Sequence, residues 1–148
     1  MDQIDQMNPW FYKPDKMFLV RLPHDGDLLL SIKNVFKESG IQMGFFTAIG
    51  AVKTAHVAFY DQAAKTYTDF IIDEPAEILS CTGNISEVDG GMSVHAHITL
   101  GLQDGTAKGG HLLEGTVIFA SELFGIALEG QGLERRFDEI TGLKLWSS

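Results

Sequence analysis

The sequence predicts an α+β domain, a mostly antiparallel β-sheet with one main α-helix packed on it. Three observations point there. Only one stretch has a convincing helical period: Leu28, Ile32, Val35 and Phe36 recur at i, i+4, i+7 and i+8. From Ile41 onward, short apolar runs alternate with turn residues, most clearly at Asp89-Gly90-Gly91 and Asp104-Gly105. Sixteen glycines in 148 residues suit a chain full of turns and close backbone approaches.

Residues 1–16 read as an N-terminal arm and residues 17–148 as a single domain. The arm carries Trp10, Phe11 and Tyr12 between Pro9 and Pro14. Three adjacent aromatics leave water readily, so the arm is expected to dock on the domain or on a neighbouring subunit. A strand over 17–22 comes next, followed by a turn at Pro23-His24-Asp25. Asp25 is the expected helix cap, because its carboxylate can accept from free backbone N–H groups. Gly40 is the expected stop. The strands expected after it cover 41–49, 52–60, 66–72, 77–88 and 92–102. Apolar runs over 112–123, 125–128 and 143–146 follow.

Composition excludes several function classes. Eleven basic residues against twenty acidic ones give a net charge of −9. That field repels nucleic-acid phosphates and anionic membranes, so direct DNA binding by this chain is not expected. Six of the acids lie between residues 69 and 89, where no Lys or Arg offsets them; they read as a solvated edge. A lone cysteine, Cys81, rules out an intrachain disulfide framework and a multi-cysteine zinc site. It sits in a strand-like run and reads as a small core residue. No apolar stretch approaches the ~18 residues of a membrane span. Asp2 and Asp5 stand where a signal peptide would be basic, so the expected compartment is the cytoplasm. The chain has no phosphate loop, dinucleotide fingerprint or nucleophile elbow.

Residues 92–102 carry the chemistry. Met92, Val94, Ala96, Ile98, Leu100 and Leu102 alternate with Ser93, His95, His97, Thr99 and Gly101. A period of two puts the first set on a buried face and the second on the other. His95 and His97 therefore project side by side. His111 follows on the returning strand, after Gly109-Gly110. Three imidazoles with an open fourth position are the ligand set of a catalytic zinc site, and neutral imidazole binds metal at neutral pH. Register decides whether they converge. A two-residue turn at Asp104-Gly105 would pair His111 with Ile98 and point it the wrong way. A three-residue loop pairing His111 with Thr99, or a glycine bulge at Gly109-Gly110, would bring it back; one of these devices is expected. The plainer alternative is three unrelated surface histidines. His24 and His56 read as ordinary structural residues.

Glu77 and Glu122 interrupt apolar surroundings. Each is a paired structural carboxylate or a proton-transfer group beside a metal. Arg135-Arg136 can bind a carboxylate or phosphate bidentately, although Glu134, Asp138 and Glu139 offer plain salt bridges.

Several segments resemble one family. They are Ile41-Gln-Met-Gly44 with Ala48-Ile49-Gly50-Ala51-Val52, then Glu77-Ile-Leu-Ser80 with Gly83-Asn-Ile85, and His95-Ala-His97 with Gly109-Gly-His-Leu112 and Gly115-Thr-Val117. Arg136-Phe-Asp138 and Thr141-Gly-Leu143 complete the set. Over roughly residues 17–146 the chain resembles the PPC domain, conserved in plants and prokaryotes. The resemblance implies a homotrimer and brings a DNA-associated regulatory label. That label belongs to plant members with Arg-Gly-Arg-Pro arms, and this chain has no Arg-Gly-Arg. The histidine pattern is also similar, more distantly, to acetolactate decarboxylase, whose three histidines hold zinc. That implies His95, His97 and His111 as ligands of zinc or a similar divalent metal. Glu77, Glu122 and Arg136 are then the candidate catalytic residues. The expected function is a trimeric metal-binding protein for a small oxygen-bearing ligand. The alternatives are a zinc-dependent lyase or hydrolase and a DNA-associated module.

Overall fold

A computed structural model describes residues 9–147. Residues 1–8 of the expected N-terminal arm lie outside the described residues. Pro9–Tyr12 run without regular structure, with Trp10 edge-on to Trp146, ring centroids 6.5 Å apart. Residues 13–16 belong to the first strand, which starts earlier than its hydrophobic pattern. Lys13 and Pro14 already pair with Glu129 and Leu128, before a register shift that precedes Met17.

The elements are β1 (Lys13–Leu22), α1 (Leu28–Glu38), β2 (Gly44–Asp61), β3 (Thr66–Ile72) and β4 (Ala76–Val88). They continue with β5 (Gly91–Gly101), β6 (Ala107–Leu112), β7 (Val117–Glu129), β8 (Glu134–Phe137) and β9 (Lys144–Ser147). The strands form one sheet in the order β1-β7-β2-β6-β5-β4-β8-β9, with β3 on β2. A further β2–β4 pairing closes β2, β6, β5 and β4 into a ring. All pairings are antiparallel except β4–β8. The α+β expectation holds.

The helix buries Leu28, Ile32 and Phe36 on one face. The Phe36 ring meets Phe18 of β1 at 5.2 Å and Phe46 of β2 at 6.0 Å, which ties the helix to the sheet. Gly40 stops it with φ +69°. The cap differs from the expected one. Asp27 Oδ1 accepts from Leu30 N–H at 2.9 Å, and Asp27 Oδ2 accepts from Gly115 N–H. Asp25 lies two residues too far upstream, in a left-handed turn (φ 62°), and pairs with Lys53 instead.

One long strand replaces two expected ones. β2 runs through Gly50, which lies between the expected strands 41–49 and 52–60. Gly50 marks a register shift and has φ +139°. A Cβ there would lie 2.1 Å from the Ala120 carbonyl oxygen, so the strand stays continuous only because the residue is glycine. This long strand joins the two halves of the sheet, with β4 and β7 beside its first half and β3 and β6 beside its second.

Candidate metal centre

The alternation in β5 is real. Ala96, Ile98 and Leu100 are buried, while His95, His97 and Thr99 face the other way. On β4, Asn84 lies opposite His95 and Thr82 opposite His97. The β5–β6 hairpin turns through the three-residue loop Gln103-Asp104-Gly105. Leu102 N–H donates to Thr106 O at 2.9 Å, Gly105 N–H donates to Leu102 O at 2.9 Å, and Gly105 has φ +83°. This loop device was expected, but its pairing differs. His111 stands opposite His97 rather than Thr99, and Gly109-Gly110 stay in register without a bulge. The loop is centred on Asp104, which shifts every pair by two residues and leaves the face of His111 unchanged.

The Gly-Gly pair has a steric reason. β6 is wedged between β5 and β2. A Cβ at Gly109 would meet the Ile98 carbonyl oxygen at 2.1 Å, and one at Gly110 would meet the Ala58 carbonyl oxygen at 2.7 Å. Two glycines let the strand close in, and His111 comes with it.

The three rings converge. Their centroids lie 5.0, 5.2 and 5.7 Å apart, and one nitrogen from each falls within 4.8 Å of the others. His95 Nε2 and His97 Nε2 are 3.3 Å apart. A tetrahedral zinc with bonds of about 2.0–2.1 Å sets its ligand nitrogens about 3.3–3.4 Å apart, so this pair already spans the required edge. Burial pushes the His95 pKa down to about 4, with Arg135 and the other two rings adding to it. His111 is lowered too, by burial first and then by His97 and Arg135. Both are therefore neutral at pH 7, the form that donates a lone pair to a metal.

The rings line a cleft of about 830 Å³ whose walls include Tyr60, Tyr67, Arg135 and Leu143. The Tyr67 ring lies 5.1 Å from His111, and burial raises the Tyr67 pKa. Arg135 Nη2 donates to Asn84 Oδ1 at 3.0 Å and reaches His95 Nδ1 at 3.4 Å. A guanidinium can only donate, so without a metal His95 accepts on Nδ1 and carries its proton on Nε2, facing His97.

The other sequence candidates lie elsewhere. Glu77 pairs with Gly101 at the far end of β5, and Glu122 sits opposite Arg21 on the β1–β7 ladder. Neither lines the cleft. Arg136 turns outward and pairs with Glu134, donating from Nε at 3.1 Å and Nη2 at 3.0 Å. Its neighbour Arg135 is the arginine at the site. The period of two separates them, and the assignment depends on a four-residue strand too short to show a pattern. His24 Nδ1 lies 2.7 Å from the Phe119 carbonyl oxygen. His56 is held by Asp69 at 2.6 Å and by the Glu114 carbonyl oxygen at 2.7 Å. Cys81 is fully buried, and burial pushes its pKa up to about 12.

The family described as the Plants and Prokaryotes Conserved (PCC) domain matches residues 11–128. The chain belongs to this family. A metal-containing protein from Archaeoglobus fulgidus is 42% identical to this PCC-domain chain. Its TM-score is 0.91, and the match covers 96% of this chain and all of that one. A plant- and prokaryote-conserved protein from Pyrococcus horikoshii is 33% identical at TM-score 0.89, covering 96% of this chain and 98% of that one. Acetolactate decarboxylase from Bacillus subtilis subspecies spizizenii shares the fold alone: 14% identity, TM-score 0.55, covering 84% of this chain and 57% of that one. The bifunctional protein GlmU of Synechococcus sp. (strain JA-2-3B'a(2-13)) is 30% identical over 107 residues, 72% of this chain. The chain spans about one sixth of the length of the curated relatives it matches. Among the described residues, no helix is long and apolar enough to cross a membrane.

Proposed function

We propose that this PCC-domain chain binds zinc or a similar divalent metal through His95, His97 and His111 and presents it to a small oxygen-bearing ligand in the adjoining cleft. The observation that carries the proposal is the convergence of three imidazole nitrogens, two of them at a tetrahedral edge length, on one side of one hairpin. The metal-containing relative from Archaeoglobus fulgidus supports it. A metal with three protein ligands keeps an open position, where it supplies Lewis acidity to a carbonyl or hydroxyl or lowers the pKa of a bound water. A lyase or hydrolase activity is the second reading, favoured by the cleft that opens directly onto the histidines.

The assembly we propose is a homotrimer. Met17, Leu19, Phe45 and Ile49 are exposed on one side of the sheet. The strand register puts them on a common face across β1, β7 and β2. A cluster of exposed apolar side chains of this kind, bordered by Arg21 and Glu122, marks a protein contact. Light scattering on Leu19→Glu tests it, with a smaller particle expected than for the wild type.

The deciding experiment is metal analysis of purified protein after dialysis. One equivalent of divalent metal per chain is expected for the wild type and well under half an equivalent for His97→Ala. A metal-free wild type that also takes up no zinc on titration overturns the proposal.

A further inference from the structure

One charged group in the cleft has no partner of its own sign-complement. Arg135 is half-buried, with its guanidinium 4.8 Å from the Trp146 ring centre. Nη1 donates to the Lys144 carbonyl at 3.2 Å, and Nη2 donates to Asn84 Oδ1 at 3.0 Å. Nε is buried and has no acceptor. Among the described residues, no carboxylate forms an ion pair with Arg135, although the chain holds twenty acids. Such a cation keeps its charge and stays costly until an anion reaches it.

The histidines sharpen the argument. An imidazole that holds a metal through Nε2 carries its proton on Nδ1. His95 Nδ1 then becomes a donor, facing an Arg135 N–H that is also a donor, across 3.4 Å. Two opposed donors need an acceptor beside them. No protein oxygen other than Asn84 Oδ1 is bonded to this Nη2 among the described residues, and that oxygen is already engaged.

We infer that Arg135 makes the cleft a carboxylate site: the ligand's carboxylate oxygen accepts from Arg135, and its remaining atoms face the three histidines. This rests on the metal-binding proposal above. Charge and donor count favour a carboxylate over phosphate. Two of the five guanidinium N–H groups are already committed, and Lys144, also at the cleft, is tied to Asp89. Helix α1 contributes no residue to the lining, so no helix N-terminus adds donors. A single guanidinium, with no second free cation beside it among the described residues, matches the charge of a carboxylate rather than that of a phosphate.

The test uses cobalt(II) in place of zinc, because its visible absorption reports changes in coordination and surroundings. Acetate is titrated into cobalt-loaded wild type, Arg135→Gln and Arg135→Lys. Neutral acetamide and inorganic phosphate serve as comparison probes. Acetate is expected to shift the wild-type spectrum saturably. Its midpoint should rise at least tenfold in Arg135→Gln and at least threefold in Arg135→Lys, with cobalt stoichiometry unchanged. Acetamide and phosphate should bind at least tenfold more weakly than acetate. Circular dichroism checks that each variant is folded, and Arg135→Lys decides the matter if Arg135→Gln is not. An unchanged acetate midpoint in the folded variant, or acetamide or phosphate binding as tightly as acetate, overturns the inference. A wild type that binds cobalt normally yet ignores acetate overturns the inference alone. A wild type that binds no cobalt overturns the metal proposal and this inference with it.

Discussion

Gly109→Ala tests whether backbone spacing sets the metal centre. The added Cβ would sit 2.1 Å from the Ile98 carbonyl oxygen and 3.2 Å from the Thr99 Cα. Ordinary contact begins near 3.4 Å, so β6 must retreat from β5 by about 1.3 Å. His111 is two residues further along the same six-residue strand, directly opposite His97, and must move with it. Metal–ligand distances tolerate only about 0.2 Å. A shift several times larger removes one ligand from bonding range, and zinc affinity should fall by at least ~100-fold, the upper end of what displaced supporting groups cost. Overpacking also destabilises by about 1–3 kcal/mol. At this chain length that is a Tm lower by about 3–10 °C. Zinc affinity is read by competition with a chromophoric chelator, and stability by thermal melting. Gly132→Ala is the control, since its Cβ meets nothing within 4 Å and its φ is ordinary. Wild-type zinc affinity in Gly109→Ala, with the control unchanged, would refute the reasoning.

Three further outcomes follow from the same coordinates. Asp27→Ala removes the helix cap and the acceptor for Gly115 N–H together; stability should drop by about 1–2 kcal/mol in urea unfolding, more than an exposed carboxylate is worth. Hydrogen bonding to Asp69, then to the Glu114 carbonyl, raises the His56 pKa above its ordinary value. The unfolded state therefore holds fewer protons than the folded one between about pH 6.5 and that raised value, and the stabilisation is complete below pH 6.5 and fades as pH rises. The Tm gap between wild type and His56→Gln should accordingly be wide near pH 6 and narrow by pH 9; a gap that widens with pH would contradict this. Native Cys81, buried and poorly ionised, should resist iodoacetamide at pH 8 and react only after denaturation, as mass spectrometry can follow.

Where a single period governed a segment, the sequence was legible. The helix showed itself through Leu28, Ile32 and Phe36, all of which are buried. The face of His95 and His97 followed from the alternation in β5. Legibility failed where geometry came from a neighbouring strand. Gly50 looks like a terminus until Ala120 is seen to press against it. Asp25 and Asp27 are equivalent cap candidates locally, and the Gly115 N–H, 88 residues away, holds the second. The hairpin register depended on where a three-residue loop was centred, which residue types alone leave open. Arg135 and Arg136 are chemically identical in sequence. Only the short parallel pairing of β8 with β4 turns the first inward and leaves the second with Glu134.

The contact between Trp10 and Trp146 has a practical consequence for anyone purifying the protein. Both rings belong to the outermost described segments of the polypeptide, and the second lies against the guanidinium that borders the histidines. Polyhistidine added a few residues beyond Trp146 would thus be tethered near the cleft, where its own imidazoles can chelate the ion under study. Stoichiometry should be measured on tag-free material.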